Sequence, residues 1–290
     1  MTPNNDNRKR YKQVLRTLIF LDLFSFPPTA WELWLYLDKE ISLLDVEKSL
    51  QELKEKNILQ ELQGFYFLSG RSKIVNIRRH RYNYSSAKLR KARRFSCIFS
   101  LFPGVVTVAA ANFIGSHNWR QESDIDFFII TKKNYLWRSR LFCAGVAKLL
   151  FSRPTIKSKR DKICLSFYIS ESALNLHSLE LEGGDPYFEY WRRGLFPLYT
   201  YQNIWDKFQA ANKKGKITSN FVEKNKLGFF ENIAKKFQLL IMPAALRQAM
   251  TESEGVVIND DVLKLYLKEK RRYFRQSFNE KKYEIFKTLN

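Results

Sequence analysis

From Phe95 to Trp119 the chain runs for 25 residues without a charged side chain. A run of this kind has two fates, a lipid-spanning helix or a buried core segment. Pro103-Gly104 breaks it after eight residues, and Asn112, Ser116 and Asn118 interrupt the remainder with polar groups. That division predicts a helix end, a turn and a buried strand over Val105 to Ala111, and it argues against a membrane span. A second strand is expected over Asp124 to Ile130, a helix over Tyr135 to Phe151, and a third strand over Ile163 to Ile169. The resulting fold class is α+β, with a central mixed sheet and covering helices spanning 96–200.

Ahead of this core, Lys9 to Asp22 has the pattern of an amphipathic helix. Thr29-x-x-Glu32 and Ser42-x-x-Asp45 each supply the side chains of a capping box, so two further helices begin there. The third carries Leu43, Val46, Leu50 and Leu53 at three- and four-residue steps and ends near Asn57. Ile58 to Leu62 and Phe65 to Leu68 then flank Gln63-Gly64, a hairpin signal. Three helices and a hairpin in this order make residues 1–70 a winged-helix-like module. Its third helix mixes Asp45, Glu47, Glu52 and Glu55 with Lys48, Lys54 and Lys56, which favours a structural or protein-contacting role over the reading of DNA.

Residues 71–95 form a basic helical linker. No acidic residue occurs between Glu61 and Glu122, whereas Arg71 to Arg94 holds ten lysines and arginines. Such a run is either a solvated helix face or an anion-binding surface. The whole chain has 50 Lys plus Arg against 29 Asp plus Glu, a formal charge of +21 that favours anionic partners: nucleoside triphosphates, RNA or DNA. Beyond Asp185 the pattern becomes helical over Tyr187–Tyr199, Gln202–Ala211, Phe221–Leu240 and Asp260–Phe286, so 201–290 is expected to be a helical C-terminal region. Cys97, Cys143 and Cys164 are scattered and sit in apolar segments, as reduced core thiols do. With no signal peptide evident, a cytoplasmic location is expected.

Chemistry concentrates between the first two core strands. Residues two apart on a strand share a face, so Asp124 and Asp126 project together about 6–7 Å apart at the backbone. Brought to about 5 Å, the two carboxylates repel by roughly 3 kcal/mol at an effective dielectric near 20, and a divalent cation relieves that repulsion. Mg²⁺ or Mn²⁺ suits a site that joins one or two carboxylates to substrate phosphates. Gly115 allows close backbone approach, and Ser116 adds a hydroxyl and an amide for a triphosphate tail.

Phe113-Ile114-Gly115-Ser116, succeeded at this spacing by Asp124-Ile125-Asp126, resembles the signature of the DNA polymerase beta-like nucleotidyltransferase superfamily. The resemblance covers approximately Ser96 to Ser170. It implies that Gly115 and Ser116 bind nucleotide phosphate and that Asp124 and Asp126 hold the metal ions. The larger arrangement is also similar to uncharacterised bacterial proteins containing a nucleotidyltransferase domain, through Asp161-Lys162-Ile163-Cys164-Leu165-Ser166-Phe167 and Asp185-Pro186-Tyr187.

The superfamily usually places a third carboxylate on the neighbouring strand, but Ile163 to Ile169 contains no acid. Ser166 is the most plausible inward polar residue, with Asp161 and Glu171 as candidates at the strand ends. Arg120 and Lys132 flank the motif and offer positive charge to phosphate, or are ordinary exposed cations. His117 is a phosphate or base contact or a solvated loop residue, and Trp119 either stacks on a base or anchors the loop. Two functions fit these residues. One is a metal-dependent nucleotidyltransferase acting on a hydroxyl of nucleic acid, protein or a small molecule; the other is a catalytically degenerate nucleotide- and nucleic-acid-binding regulatory protein.

Overall fold

A computed structural model describes residues 5–37, 40–111, 118–155, 158–213, 227–252 and 254–287. The N-terminal elements take the expected order. Helices α1 (Asn5–Asp22), α2 (Ala30–Leu35) and α3 (Leu43–Glu55) precede strands β1 (Leu59–Leu62) and β2 (Phe65–Leu68), which pair antiparallel. Both expected capping boxes form: Thr29 and Ser42 each accept from the backbone amide three residues on, and Glu32 and Asp45 reach back to the cap amides. Gln63 and Gly64 both take positive φ, 57° and 78°, the backbone that a tight two-residue hairpin demands.

Helix α4 (Lys73–Ser100) is the expected basic segment, and at 28 residues it is about 42 Å long. Its start is clamped to the N-terminal elements. Arg78 makes a two-pronged pair with Glu32 at 2.6 and 2.7 Å, and its guanidinium lies 4.3 and 4.4 Å from the ring centres of Phe26 and Phe65. Its second half buries Leu89, Ala92, Phe95 and Phe99 against the central sheet.

That sheet has six strands in the order β6-β3-β4-β5-β8-β7. They are β3 (Val105–Ala111), β4 (Ile125–Thr131), β5 (Ile163–Ser170), β6 (Phe196–Thr200), β7 (Val256–Ile258) and β8 (Val262–Leu265). Only β4 and β5 pair in parallel, joined through helix α5 (Leu136–Leu149); every other neighbouring pair is antiparallel. All residues of β3 and β4 are buried, as the charge-free run requires. Leu89, Phe99, Phe127, Trp137 and Tyr168 fill one side, while Phe128, Phe167, Phe188, Trp191 and Phe208 fill the other. Among the described residues no helix is long and apolar enough to cross a membrane.

Three helical expectations need correction. Helix α6 (Pro186–Arg193) stops before Tyr199, because Gly194 ends it and Phe196–Thr200 becomes edge strand β6. Pro197, which cannot donate to a ladder, is tolerated at such an edge. The segment from Asp260 is not one helix: β8 pairs with β5, and helix α10 (Arg271–Lys287) begins only later. Asn259 shapes the turn between β7 and β8 by accepting from the Asp261 and Val262 amides at 2.9 and 2.7 Å. The C-terminal region is therefore mixed, and its strands extend the central sheet. Helix α7 (Ile204–Ala211) matches its expectation, and Phe221–Lys226 lies outside the described residues.

Helix α8 (Phe229–Leu240) is turned with its polar side inward. Glu231 is fully buried and accepts from the Trp137 and Arg138 amides at 2.6 and 3.3 Å and from Arg138 Nε at 2.8 Å, satisfying the open start of α5. Gln238, also buried, donates to Trp137 O at 2.7 Å and accepts from Arg140 at 2.6 Å. Replacing Glu231 with Ala strands the α5 amides and the arginine together. The variant is expected to lose about 3 kcal/mol of unfolding free energy, read as a lower urea midpoint at unchanged slope.

Candidate functional site

The parallel pairing of β4 with β5 puts the beginnings of the two strands side by side. Asp126, the second residue of β4, pairs across to Ala111 of β3 and to Cys164 of β5. Asp124 stands immediately before β4. One carboxylate oxygen each from Asp124 and Asp126 and the sulfur of Cys164 all lie within 4.8 Å of one another. Beneath them, Ile125 and Phe127 belong to the core on the opposite side of the sheet, as strand alternation requires.

An irregularity in β5 shapes this group. Between the Asp126–Cys164 and Phe128–Phe167 pairs, β4 advances two residues and β5 three. The extra residue sets Cys164 Sγ and Ser166 Oγ 3.0 Å apart. Ser166, the expected third-position residue, therefore contacts the thiol, while Cys164 stands with the two carboxylates.

The site is embedded in positive charge. Burial pushes the Asp124 carboxyl above the usual carboxylate range, and Lys159 and Lys88 act in the opposite direction. Burial also pushes the Cys164 thiol well up, with Asp126 and Asp124 adding to the effect. Lys88 comes from α4 and is itself 2% exposed; its ammonium donates to Ser123 O at 2.5 Å and to Asp161 at 2.7 Å. On the other side of the sheet, burial pushes the hydroxyls of Tyr187 and Tyr266 up, with the Asp126 charge as the next contribution.

The remaining sequence candidates separate. Asp161 adopts positive φ at 57°, pairs with Lys88, and donates its amide to Ser123 O at 3.1 Å. It fixes the approach to Asp124 and stays outside the carboxylate–thiol group. Glu171 comes directly after the last residue of β5 and accepts from the Lys133 amide at 3.1 Å. Seven residues of extended chain put it roughly 20 Å from Cys164. Lys132 comes directly after β4 at that same far end, with its ammonium 5.8 Å from the Tyr201 ring centre. Both placements have one cause: a strand carries residues close in sequence to opposite ends of the sheet.

Arg120 is exposed, and its carbonyl accepts from the Ser123 amide and hydroxyl in the turn that delivers Asp124. Gly115, Ser116 and His117 lie outside the described residues. Trp119 is buried in the core and donates its amide to Ser85 Oγ at 2.9 Å, which fits the loop-anchoring alternative.

No protein family, curated protein or solved structure matches the chain. The chemistry of the site therefore rests on its own residues. Donors at tetrahedral positions around one ion, each at about 2.0–2.3 Å, stand about 3.3–3.8 Å apart. The donor atoms of Asp124, Asp126 and Cys164, within 4.8 Å of one another, are near enough for side-chain adjustment to bring them to one ion. Sequence inspection passed over Cys164 and Lys88; the available signal was the alternation of Cys164 and Ser166 between buried Ile163 and Leu165.

The raised Asp124 carboxyl fixes the sign of a stability test. Its folded-state value lies above the unfolded one, so its contribution is full below about 3.8, the ordinary value, and is lost as pH rises through the folded value. Asp124→Asn is expected to exceed the parent in urea midpoint at neutral pH, with the difference vanishing below pH 3.8, when both measurements are made in chelator.

Proposed function

We propose that the protein is a metal-dependent nucleotidyltransferase, moving a nucleoside monophosphate from a nucleoside triphosphate to a hydroxyl acceptor. The observation that carries this is the convergence of Asp124 and Asp126 at the start of β4, where the charges of Lys88 and Lys159 act on Asp124. Two carboxylates held this close in a poorly solvated place call for a cation, while the lysines around them suit a polyphosphate. Asp124 and Asp126 would hold a divalent ion, Mg²⁺ or Mn²⁺ by the resemblance, and it would supply charge neutralisation at the triphosphate. In the resemblance to the polymerase beta-like superfamily, Gly115 and Ser116 take the triphosphate tail.

In the reaction the acceptor oxygen bonds to the α-phosphorus as the bond from that phosphorus to the pyrophosphate oxygen breaks. The hydroxyl proton passes to a carboxylate of the pair, and pyrophosphate leaves with the electrons of the broken bond. Lys88 stays tied to Ser123 O and Asp161, so its part is to hold the Asp124 approach and offset negative charge. Catalysis of this kind is mainly positioning and fixed electrostatics.

Nucleic acid is the acceptor class that the charge favours. Arg79, Arg90, Arg93 and Arg94 are exposed along one side of α4, a cationic track about 22 Å long. The winged-helix-like module formed by α1–α3 and β1–β2 takes a protein-contacting role, since α3 exposes Leu44, Glu47, Lys48, Gln51, Glu52 and Glu55. One observation favours the degenerate regulatory alternative: the carboxylate pair has a thiol beside it where the superfamily has an acid.

The test is incubation with each labelled nucleoside triphosphate, Mg²⁺ or Mn²⁺, and pooled RNA, DNA and protein acceptors. The parent is expected to transfer label, and Asp124→Ala with Asp126→Ala to lose at least about a hundredfold in rate, the scale of a lost electrostatic stabiliser. Tight nucleotide binding with no transfer to any acceptor selects the regulatory alternative.

A further inference from the structure

We propose that Cys164 is the third metal-binding residue and that its sulfur makes the site prefer a thiophilic divalent ion, such as Zn²⁺ or Co²⁺, over Mg²⁺. This rests on the metal-holding part of the nucleotidyltransferase proposal, with the donor set read from the structure. Among the histidines, cysteines and carboxylates of the described residues, the sulfur is the third donor that joins the Asp124–Asp126 group. Each other candidate is committed elsewhere: Asp161 to Lys88, Glu171 to the Lys133 amide, and Ser166 to the cysteine itself.

Donor chemistry then determines the preference. Mg²⁺ is a hard ion that takes oxygen ligands and keeps several waters, so the sulfur gives it nothing. Zn²⁺ and Co²⁺ bind thiolate, imidazole and carboxylate alike, and Zn²⁺ is commonly held by three protein donors with a fourth position open to water or substrate. Two carboxylates and one thiolate form such a set. On binding, the cysteine proton leaves to solvent as the sulfur–metal bond forms, so no oxidant or reductant is needed. Ser166 Oγ, 3.0 Å from the sulfur, supplies a hydroxyl that can orient it, the service that groups around a metal's direct ligands perform. The β5 irregularity that creates this contact re-aims side chains in the way bulges do beside functional sites.

The test is titration of the full chain, carrying Cys97→Ser to remove the exposed thiol, with Co²⁺ under reducing conditions. A sulfur-to-cobalt absorption band in the near ultraviolet is expected, saturating at one equivalent. It should disappear in Cys164→Ser with at least about a tenfold loss of Co²⁺ affinity, the lower end of what changes around metal ligands cost. Equimolar Zn²⁺ should abolish the band, and a large excess of Mg²⁺ should leave it. Cys164→Asp, restoring an all-oxygen set, should bind Co²⁺ without the band and let Mg²⁺ compete; it also serves if the serine variant fails to fold. Co²⁺ binding by the parent without the band, a band that survives Cys164→Ser or Asp124→Ala, or equal competition by Mg²⁺ overturns the proposal. The two proposals fail separately. A band with no nucleotide transfer keeps the metal assignment and removes the transferase, whereas transfer with Mg²⁺ and no band does the reverse.

Discussion

The parallel ladder between β4 and β5 is the constraint on which the rest of the molecule turns. β4 is buried along its whole length, so its backbone groups need partners on both sides, and β3 and β5 supply them. A parallel partner requires a crossover, which α5 provides over one face of the sheet. The same ladder brings the beginnings of two strands together, and those beginnings carry Asp124, Asp126 and Cys164. The side chains that build the site thus stand at one end of the best-supported part of the fold. Rigidity there costs the protein little, because hydrophobic packing on both faces fixes the strands already.

Charge is distributed around this frame in two ways. Part of the basic excess is structural: Arg71 and Lys281 converge on Asp22, which is 2% exposed, and Arg78 closes on Glu32. Lys88 is buried beside the site, held by a carbonyl and a carboxylate. Arg79, Arg90, Arg93 and Arg94, in contrast, face water. The basic segment is thus divided: its inward cations join the N-terminal elements to the sheet, and its outward arginines form a solvated face, the one proposed to meet an anionic partner. Phe20 stacked on Tyr190 at 4.1 Å, with Thr17 bonded to the Tyr190 hydroxyl, adds a second junction between α1 and α6.

Elements whose causes lie within a few residues were legible in the sequence. A capping box spans three residues, a two-residue hairpin turn is local chemistry, and the long charge-free run imposes burial wherever it folds. β6, β7 and β8 lacked that advantage. Each is three to five residues long, and apolar runs of that length suit a short strand or a helix turn equally. β6 and β8 become strands because β3 and β5 offer open edges, a fact held by residues far away in the chain, and β7 then pairs with the outer edge of β8. Helix α8 shows the same limit differently. Its aromatic face suggests burial, yet Glu231 and Gln238 bond to α5 and hold that face outward.

The third donor of the proposed metal site is decided by register, which composition does not contain. On β5 both Cys164 and Ser166 are small, partly buried and two residues apart, so alternation assigns them to one face and leaves the choice open. Lateral neighbours in a sheet stand about 4.8 Å apart, whereas a residue two further along the strand is displaced by about 6–7 Å. Whichever residue lies opposite Asp126 is therefore the one that meets it. That position is set by the bond from the Ile125 amide to Lys162 O at 2.8 Å and by the turn that Lys88 and Asp161 hold in place. Shifted by one residue, the ladder would present Ile163 or Leu165 to the carboxylates; as built, it presents a sulfur. The departure from an all-carboxylate group is thus a consequence of strand register, and in the proposed metal site it bears on which ion is held more than on whether one is held.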